Sequence, residues 1–415
     1  ASSTASSNWG RQYAWSTDGQ FTYHLDSSAT TTSGVGGLWK INAATGQAVR
    51  LSAALASSTE PAVLNMGGGI DRIVTRGGTA NNGGLDYVNH NTTTGVTSAP
   101  QILLTAAALA DFLDRPGGLT PTVTTAALTS DASGNLYFND SNSNTSGTRV
   151  VLKLDPQGRL IKITSGAERQ AFYDGVSPNS NTNRMQTRTI QHPTAGSITQ
   201  LMFADTTTDS VQGANVFTPG DFNRDGAVTA ADRSSFLSAL TPRGTRLVPA
   251  AATVAQTQAI LNASARYDLN GNGSVDWKDV KILQPFLNFA DGDVNLDGQL
   301  NLIDLTVLSE NYYTLGGAAD KTWGDGDIAS ANPFSTTYAA TAADANLVNL
   351  VDVQNLAYAW LYTLNQPTLT EAQLSSFNGQ FRSDVEYAFA TVPEPTTAAL
   401  LAPIVAAALA RRRRR

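Results

Sequence analysis

Asp221-Phe-Asn-Arg-Asp-Gly-Ala-Val-Thr-Ala-Ala-Asp232 is the first of three stretches of one design. The second is Asp268-Leu-Asn-Gly-Asn-Gly-Ser-Val-Asp-Trp-Lys-Asp279, and the third is Asp293-Val-Asn-Leu-Asp-Gly-Gln-Leu-Asn-Leu-Ile-Asp304. Each sets oxygen-bearing side chains at positions 1, 3, 5 and 12 and glycine at position 6. The side-chain donors are Asp221, Asn223, Asp225 and Asp232; Asp268, Asn270, Asn272 and Asp279; and Asp293, Asn295, Asp297 and Asp304. Gly226, Gly273 and Gly298 fall where a short chain must turn sharply, a place where positive φ costs glycine little. An apolar helical pattern follows each stretch: Phe236, Leu237 and Leu240; Val280, Leu283, Phe286 and Leu287; Leu305, Leu308 and Tyr312.

Oxygen donors in this order suit a hard divalent cation. Ca²⁺ takes 6–8 oxygen ligands, so one loop must gather several carboxylates and carbonyls. The main-chain carbonyls of Ala227, Ser274 and Gln299 supply position 7. Thr229, Asp276 or Asn301 at position 9 can bind directly or through water, and Val228, Val275 or Leu300 at position 8 can pair as a short strand. This is the ligand order of an EF-hand calcium loop. Loop plus exit helix, closed by Asp rather than Glu, resembles the type I dockerin repeat. The resemblance implies about three calcium sites and a cohesin-like partner. Dockerins read that partner largely through positions 10 and 11, often Ser-Thr. Here those positions hold Ala230-Ala231, Trp277-Lys278 and Leu302-Ile303, which points instead to structural loops, internal packing or self-association.

A fourth copy is split. Trp323-Gly-Asp-Gly-Asp327 opens like a loop and Asn349-Leu-Val-Asp352 closes like one, with an insertion between them. Asp325, Asp327, Asp344 and Asp352 are its candidate donors, and a helix is expected over Val353–Leu361. One loop and helix cannot bury its own apolar face, so the copies are expected in pairs. The second half is thus read as a dockerin-like calcium-binding pair over 218–290, a second pair with a degenerate last loop over 291–365, and a linker over 366–391. A helix is also expected at 253–266 and a short one at 370–377.

The chain has 415 residues, enough for two or more domains. Only 15% are charged, with a net charge of −7; the last five residues are arginine, so the remainder carries −12. Such a body repels nucleic acid and attracts divalent cations. There is no cysteine, which excludes disulfides, thiolate catalysis and Cys-based zinc sites. The opening Ala1-Ser-Ser-Thr-Ala-Ser-Ser7 reads as a mature N-terminus left after signal-peptide removal.

Residues 1–217 read as β-rich, in hairpin units bounded by polar turns and recurring roughly every 50 to 65 residues. One unit is Gly134-Asn-Leu-Tyr-Phe-Asn139, Arg149-Val-Val-Leu-Lys-Leu-Asp155, Pro156-Gln-Gly158 and Arg159-Leu-Ile-Lys-Ile-Thr164. These units resemble blades of NHL-type and lactonase-like β-propellers, with a β-sandwich as the alternative. Four blades are expected, with Trp9–Trp15 as a strand completing the last one. Ala106–Asp114 is expected as a short helix. His24, His90 and His192 belong to no catalytic or metal motif, and the tryptophans and tyrosines read as core rather than as a sugar-stacking surface.

At the C-terminus, Val392-Pro-Glu-Pro395 precedes an apolar run and Arg411–Arg415. This resembles the PEP-CTERM sorting signal of Gram-negative bacteria that secrete exopolysaccharide. Ala398–Ala410 gives about 20 Å of helix against a bilayer core of about 30 Å. The arginines hold its end on the cytoplasmic side. The resemblance implies transient processing by an exosortase-type protease at Pro393, Glu394 and Pro395, with an exopolysaccharide as a further partner and the membrane touched only through residues 392–415.

The whole reads as a multidomain chain: an all-β propeller-like half, an α-rich tandem EF-hand half and a hydrophobic sorting helix. The expected function is that of a secreted, calcium-binding, non-enzymatic protein of the outer cell surface or extracellular matrix, with a scaffolding or binding role. The alternatives are a self-assembling extracellular fibre or sheath subunit stabilised by calcium, and a secreted polysaccharide-acting hydrolase or lactonase carrying a dockerin module.

Overall fold

The computed structural model describes residues 13–26, 37–52, 61–77, 83–113, 122–141, 150–165, 182–205, 210–241, 247, 264–312, 321–328, 347–377 and 379–391. The chain divides into two compact units, residues 1–227 with 247–273 and residues 228–246 with 274–415. The first two loops pass from one unit into the other, between Ala227 and Val228 and between Gly273 and Ser274; the third lies wholly in the second unit.

The first unit holds four antiparallel sheets in a propeller-like arrangement. Sheet one is β1 (Tyr13–Trp15), β2 (Phe21–Asp26), β3 (Gly37–Asn42) and β4 (Ala48–Ser52). Sheet two is β5 (Ala62–Asn65), β6 (Ile70–Arg76), β7 (Leu85–Asn91) and β8 (Gln101–Leu104). After helix Ala106–Leu113 comes sheet three: β9 (Thr122–Ser130), β10 (Leu136–Ser141), β11 (Val150–Leu154) and β12 (Leu160–Ser165). Sheet four has three strands, β13 (Thr182–His192), β14 (Gly196–Asp205) and β15 (Ser210–Val216).

Alternation along each strand explains why the sheets stack in sequence. Successive side chains point to opposite faces, so one strand serves two cores. Leu136 and Phe138 join a core with Val74, Leu85, Leu109 and Leu113 between sheets two and three. Tyr137 and Val151 face the other way, toward Met185, Leu201 and Val216 of sheet four. Tyr23, Leu25 and Leu38 meet Ile73 and Val88 between sheets one and two. A sandwich would close one core between two sheets; here sheets two and three are each packed on both faces.

Carboxylates tie neighbouring sheets. Asp71 of β6 accepts hydrogen bonds from Thr17 Oγ1 at 2.5 Å and Tyr23 Oη at 2.7 Å. Asp131 accepts from Tyr137 Oη at 2.8 Å and from Thr199 Oγ1 of β14 at 3.4 Å.

Two expectations are corrected. The described part of the Trp9–Trp15 stretch does not complete the last blade: Tyr13, Ala14 and Trp15 pair with His24, Tyr23 and Thr22 inside the first one. Residues 366–391 are not simply a linker, because Gly379–Thr391 is a helix whose Phe381, Val385 and Ala388 are buried. That helix packs on helix Leu350–Tyr358. The short helix expected near 370 appears as Glu371–Leu374. The helix expected at 253–266 and the sorting segment at 392–415, with Pro393, Glu394 and Pro395, lie outside the described residues. Among the described residues, no helix is long and apolar enough to cross a membrane.

Candidate metal centre

The third loop shows the design complete within one unit. Asp293 opens it and is fully buried; its Oδ1 accepts the N–H of Asp297 at 3.1 Å and its Oδ2 that of Gly298 at 2.8 Å. Asn295 Oδ1 accepts from the same Asp297 N–H at 2.8 Å, and Asp297 Oδ1 accepts from Gln299 N–H at 2.7 Å. Asp304 closes the loop, also fully buried, with Oδ1 on the Val294 N–H at 3.0 Å and Oδ2 on the Asn301 N–H at 2.9 Å. Positions 1 and 12 are thereby locked to the backbone at both ends of the loop.

The first halves of the other loops repeat the pattern. Asp221 accepts from the N–H groups of Asp225 at 3.1 Å and Gly226 at 3.0 Å. Asn223 Oδ1 takes the Asp225 N–H at 2.9 Å, and Asp225 Oδ1 takes that of Ala227 at 2.9 Å. Asp268 accepts from Gly271 at 2.7 Å and Gly273 at 2.9 Å, and Asn270 Oδ1 from Asn272 at 3.0 Å.

In the second halves, position 12 does double duty. Asp232, Asp279 and Asp304 sit at the third residue of the exit helices, where each accepts the N–H of the residue before the helix: Thr229 at 2.9 Å, Asp276 at 2.8 Å and Asn301 at 2.9 Å. This is a capping box with a carboxylate, and in the third loop Asp304 also accepts the Val294 N–H, so one group serves helix and loop alike. Position 9 also serves the exit helix. The side chains of Asp276 and Asn301 cap their helices, accepting from Lys278 N–H at 2.9 Å and Ile303 N–H at 2.8 Å, while the Thr229 hydroxyl donates to Asp232. Position 8 does not form a strand among the described residues; the Val275 carbonyl accepts from Thr241 N–H at 2.7 Å instead.

Sequence reasoning missed position 4. It is left-handed in all three loops: Arg224 at φ 63°, Gly271 at 77° and Leu296 at 54°. Arg and Leu carry no local signal for this, and only the superposed pattern shows it.

Loops one and two open against the β sheets of their own unit. A Cβ on Gly226 would lie 2.5 Å from the Cα of Ala195 in the β13–β14 turn, and Thr194 Oγ1 donates to the Arg224 carbonyl at 3.1 Å. A Cβ on Gly271 would lie 2.7 Å from Val150 Cγ1. Lys162 of β12 donates its backbone N–H to Leu269 O at 2.8 Å and its Nζ to Ala265 O at 2.6 Å.

The donors fit a hard cation. Every side-chain and main-chain candidate is an oxygen, and two fully buried carboxylates face one loop. Burial holds Asp293 up at about 6, with the charges of Asp304 and Asp297 adding to it against the Gly298 and Asp297 N–H groups. Burial likewise raises Asp304. Among the described residues no three His, Cys, Asp or Glu side chains alone form a metal-binding cluster. The donor set therefore depends on Asn and carbonyl oxygens as well.

Part of the fourth copy falls within the described residues. Asp327 is buried, and Ile328 N–H donates to Asp352 Oδ1 at 2.8 Å, as Val294 does to Asp304. Asp352 Oδ2 accepts from Asn349 N–H at 2.8 Å. Asp325 is not part of this set: it accepts from Thr322 N–H at 3.0 Å in a capping box of its own. Asp344 lies outside the described residues.

Residues 219–288 match the Dockerin type I domain family. They contain the first two loops and their exit helices, so a dockerin type I domain follows the propeller-like half. Dockerin type I domains bind calcium and cohesin partners and are typically extracellular. No curated protein matches the sequence. Solved structures similar to the chain include a puromycin hydrolase (16% identity, 46% of this chain and 25% of that one, TM-score 0.21). They also include the Bacteroides ovatus xyloglucan PUL protein GH43B (15% identity, 47% and 35%, TM-score 0.24). A third is one of two prolyl endopeptidases (10% identity, 49% and 28%, TM-score 0.25). The chain spans roughly a quarter to a third of those proteins' length, and at these scores the likeness assigns this chain no activity of its own. These structures are hydrolases, and the expectation of a non-enzymatic chain is withdrawn on that finding. Nothing in the comparisons bears on exosortase, an exopolysaccharide or a Gram-negative surface.

Proposed function

We propose that the chain is an extracellular calcium-dependent binding protein in which the loops at Asp221, Asp268 and Asp293 each hold one Ca²⁺. The ligands are Asp221, Asn223, Asp225, the Ala227 carbonyl and Asp232; Asp268, Asn270, Asn272, the Ser274 carbonyl and Asp279; and Asp293, Asn295, Asp297, the Gln299 carbonyl and Asp304. The observation that carries this reading is the pair Asp293 and Asp304, both 0% exposed and both aimed by backbone N–H groups. At neutral pH two buried carboxylates in one loop are costly unless a cation compensates them. Metal binding then couples to folding of the helical half.

The partner-facing chemistry is apolar rather than Ser-Thr. Ile303 at position 11 is 57% exposed, so it is not internal packing, and it favours docking or self-association through the exit helix of the third loop. The test is melting of the whole chain in millimolar calcium and in EGTA, with calcium counted by native mass spectrometry. Chelation is expected to lower the melting temperature and the helical signal. If neither changes, the calcium reading falls.

A further inference from the structure

The four sheets meet through their first strands: β9 packs against β13 and β5, and β5 against β1. Residues from all four of those strands line one cavity of about 280 Å³. Tyr13 and Trp15 come from β1, Ala62 and Val63 from β5, Thr129 and Ser130 from β9, and Met185 and Gln186 from β13. This cavity therefore sits at the centre of the ring, not in a cleft of one blade.

Its two aromatic side chains stand open, unlike the aromatic cores of the same unit. Tyr13 is 49% exposed and Trp15 53%, whereas Tyr23, Tyr137 and Phe138 are buried in the cores. Tyr13 and Trp15 are two apart on one strand and share a face. The Tyr13 ring is stacked on His24, centroids 5.6 Å apart, and His24 Nε2 lies 3.0 Å from Thr22 Oγ1. The floor is fixed by Ser130, whose Oγ donates to Val63 O at 2.7 Å while its carbonyl accepts from Thr187 Oγ1 at 2.7 Å. The strands β5, β9 and β13 are held together at the point where the cavity lies.

Among the described residues, no Asp, Glu, Lys, Arg or His lines the cavity. The ligand it fits is consequently uncharged. The lining combines the Tyr13 and Trp15 rings and smaller apolar side chains with hydroxyl and amide groups from Thr129, Ser130 and Gln186. The volume lies just under the roughly 300–1,000 Å³ of drug-sized ligand sites, and suits a single small ring. A pyranose combines these properties: an apolar C–H face for an aromatic ring and hydroxyls at its rim.

We propose that this central cavity binds one residue of a neutral saccharide, stacked on Trp15 and Tyr13 and hydrogen-bonded by Gln186 and Thr129. The reading is independent of the calcium loops.

The test is tryptophan-fluorescence and calorimetric titration of the full chain with cellohexaose, xylohexaose, maltohexaose and mannohexaose. Glucose and xylose serve as single-ring arms, and polygalacturonate as the charged control. Saturable binding of at least one neutral hexasaccharide is expected. Weaker binding of the single sugars would identify a polysaccharide chain, rather than a free sugar, as the source of the ring. Trp15→Ala is expected to weaken binding roughly tenfold, equivalent to about 1.4 kcal/mol. Gln186→Ala, at an exposed position, serves as the second variant, and the melting temperature of each is the folding control. The proposal is overturned if no neutral probe binds saturably. It is equally overturned if folded Trp15→Ala and Gln186→Ala bind like the parent chain, or if polygalacturonate binds best.

Discussion

Replacing Asp304 by Asn distinguishes a cation cage from an Asp-rich turn. Asp304 is fully buried and accepts two backbone N–H groups, from Val294 at 3.0 Å and Asn301 at 2.9 Å. Asn has one acceptor, so its amide nitrogen must face one of those donors. The loss of a hydrogen bond to a charged acceptor costs about 1.5–3 kcal/mol. Burial opposes the charge at this position and raises its pKa, so removing that charge returns part of the loss. Without calcium the net cost is therefore smaller than the lost hydrogen bond alone. With calcium at about a hundred times its Kd, binding adds about 2.7 kcal/mol of stability, which the variant loses. For a cooperative unit of this size that is a drop of roughly 5–10 °C in Tm. Scanning calorimetry in millimolar calcium and in EGTA reads this directly, and native mass spectrometry counts one fewer calcium. Equal destabilisation in both media, with the calcium count unchanged, would show that Asp304 only caps a helix.

Two further outcomes follow from the β half and its seam with the loops. His90 is fully buried between Thr97 Oγ1 at 2.9 Å and Lys40 Nζ at 3.0 Å. Burial and the Lys40 charge, opposed by Asp71, lower its pKa from 6.5 to about 4. A folded pKa below the unfolded one gives stability that is complete above about 6.5 and lost as pH falls toward about 4, by at most about 3 kcal/mol. Urea unfolding of His90→Gln between pH 7 and 4 should show a flatter profile than the parent; an unchanged slope would remove His90 as the cause. Gly226→Ala and Gly298→Ala share the same strain, at φ 98° and 86°, but only the first meets backbone, at Ala195 Cα. Gly298→Ala should cost about 1–2 kcal/mol and Gly226→Ala clearly more; equal costs in thermal melts would mean that the first loop does not rest on the β13–β14 turn.

The Asp-rich loops were legible because their pattern is local: four oxygen-bearing side chains and a glycine fall within twelve residues, and no tertiary contact is needed to see them. The propeller-like ring was legible from its aromatic hairpins, but its inner strands were not. Ala62–Asn65 is four residues long, and Thr122–Ser130 is rich in threonine and alanine, so neither shows a strong strand pattern. The helix at Gly379–Thr391 was hidden for a related reason. Its buried face is only Phe381, Val385 and Ala388, in a segment otherwise polar. Trp15 was read as core because tryptophan usually is; only the closure of four strands around it shows that its face is open. The left-handed Arg224 and Leu296 were invisible, since nothing in either side chain requires that conformation.

The helical half also shows how a copy of the loop can keep its place around an insertion. After the first exit helix, Thr241 donates to the carbonyl of Val275, position 8 of the second loop. After the third, Tyr312 bridges to Val348. If Val348 is position 8, then Asn349 and Asp352 are positions 9 and 12, as their capping box requires. Gly326, at φ 99° before Asp327, matches Gly292, at φ 94° before Asp293. The fourth copy thus keeps both ends of its frame around an insertion, and lengthening a closed loop costs only about 0.6 kcal/mol per doubling. What fastens it is Trp323, 1% exposed, whose Nε1 donates to the carbonyl of Asp293 at 3.0 Å. An indole buried against the third loop's first residue thus holds the fourth copy in register, whatever becomes of its own donors.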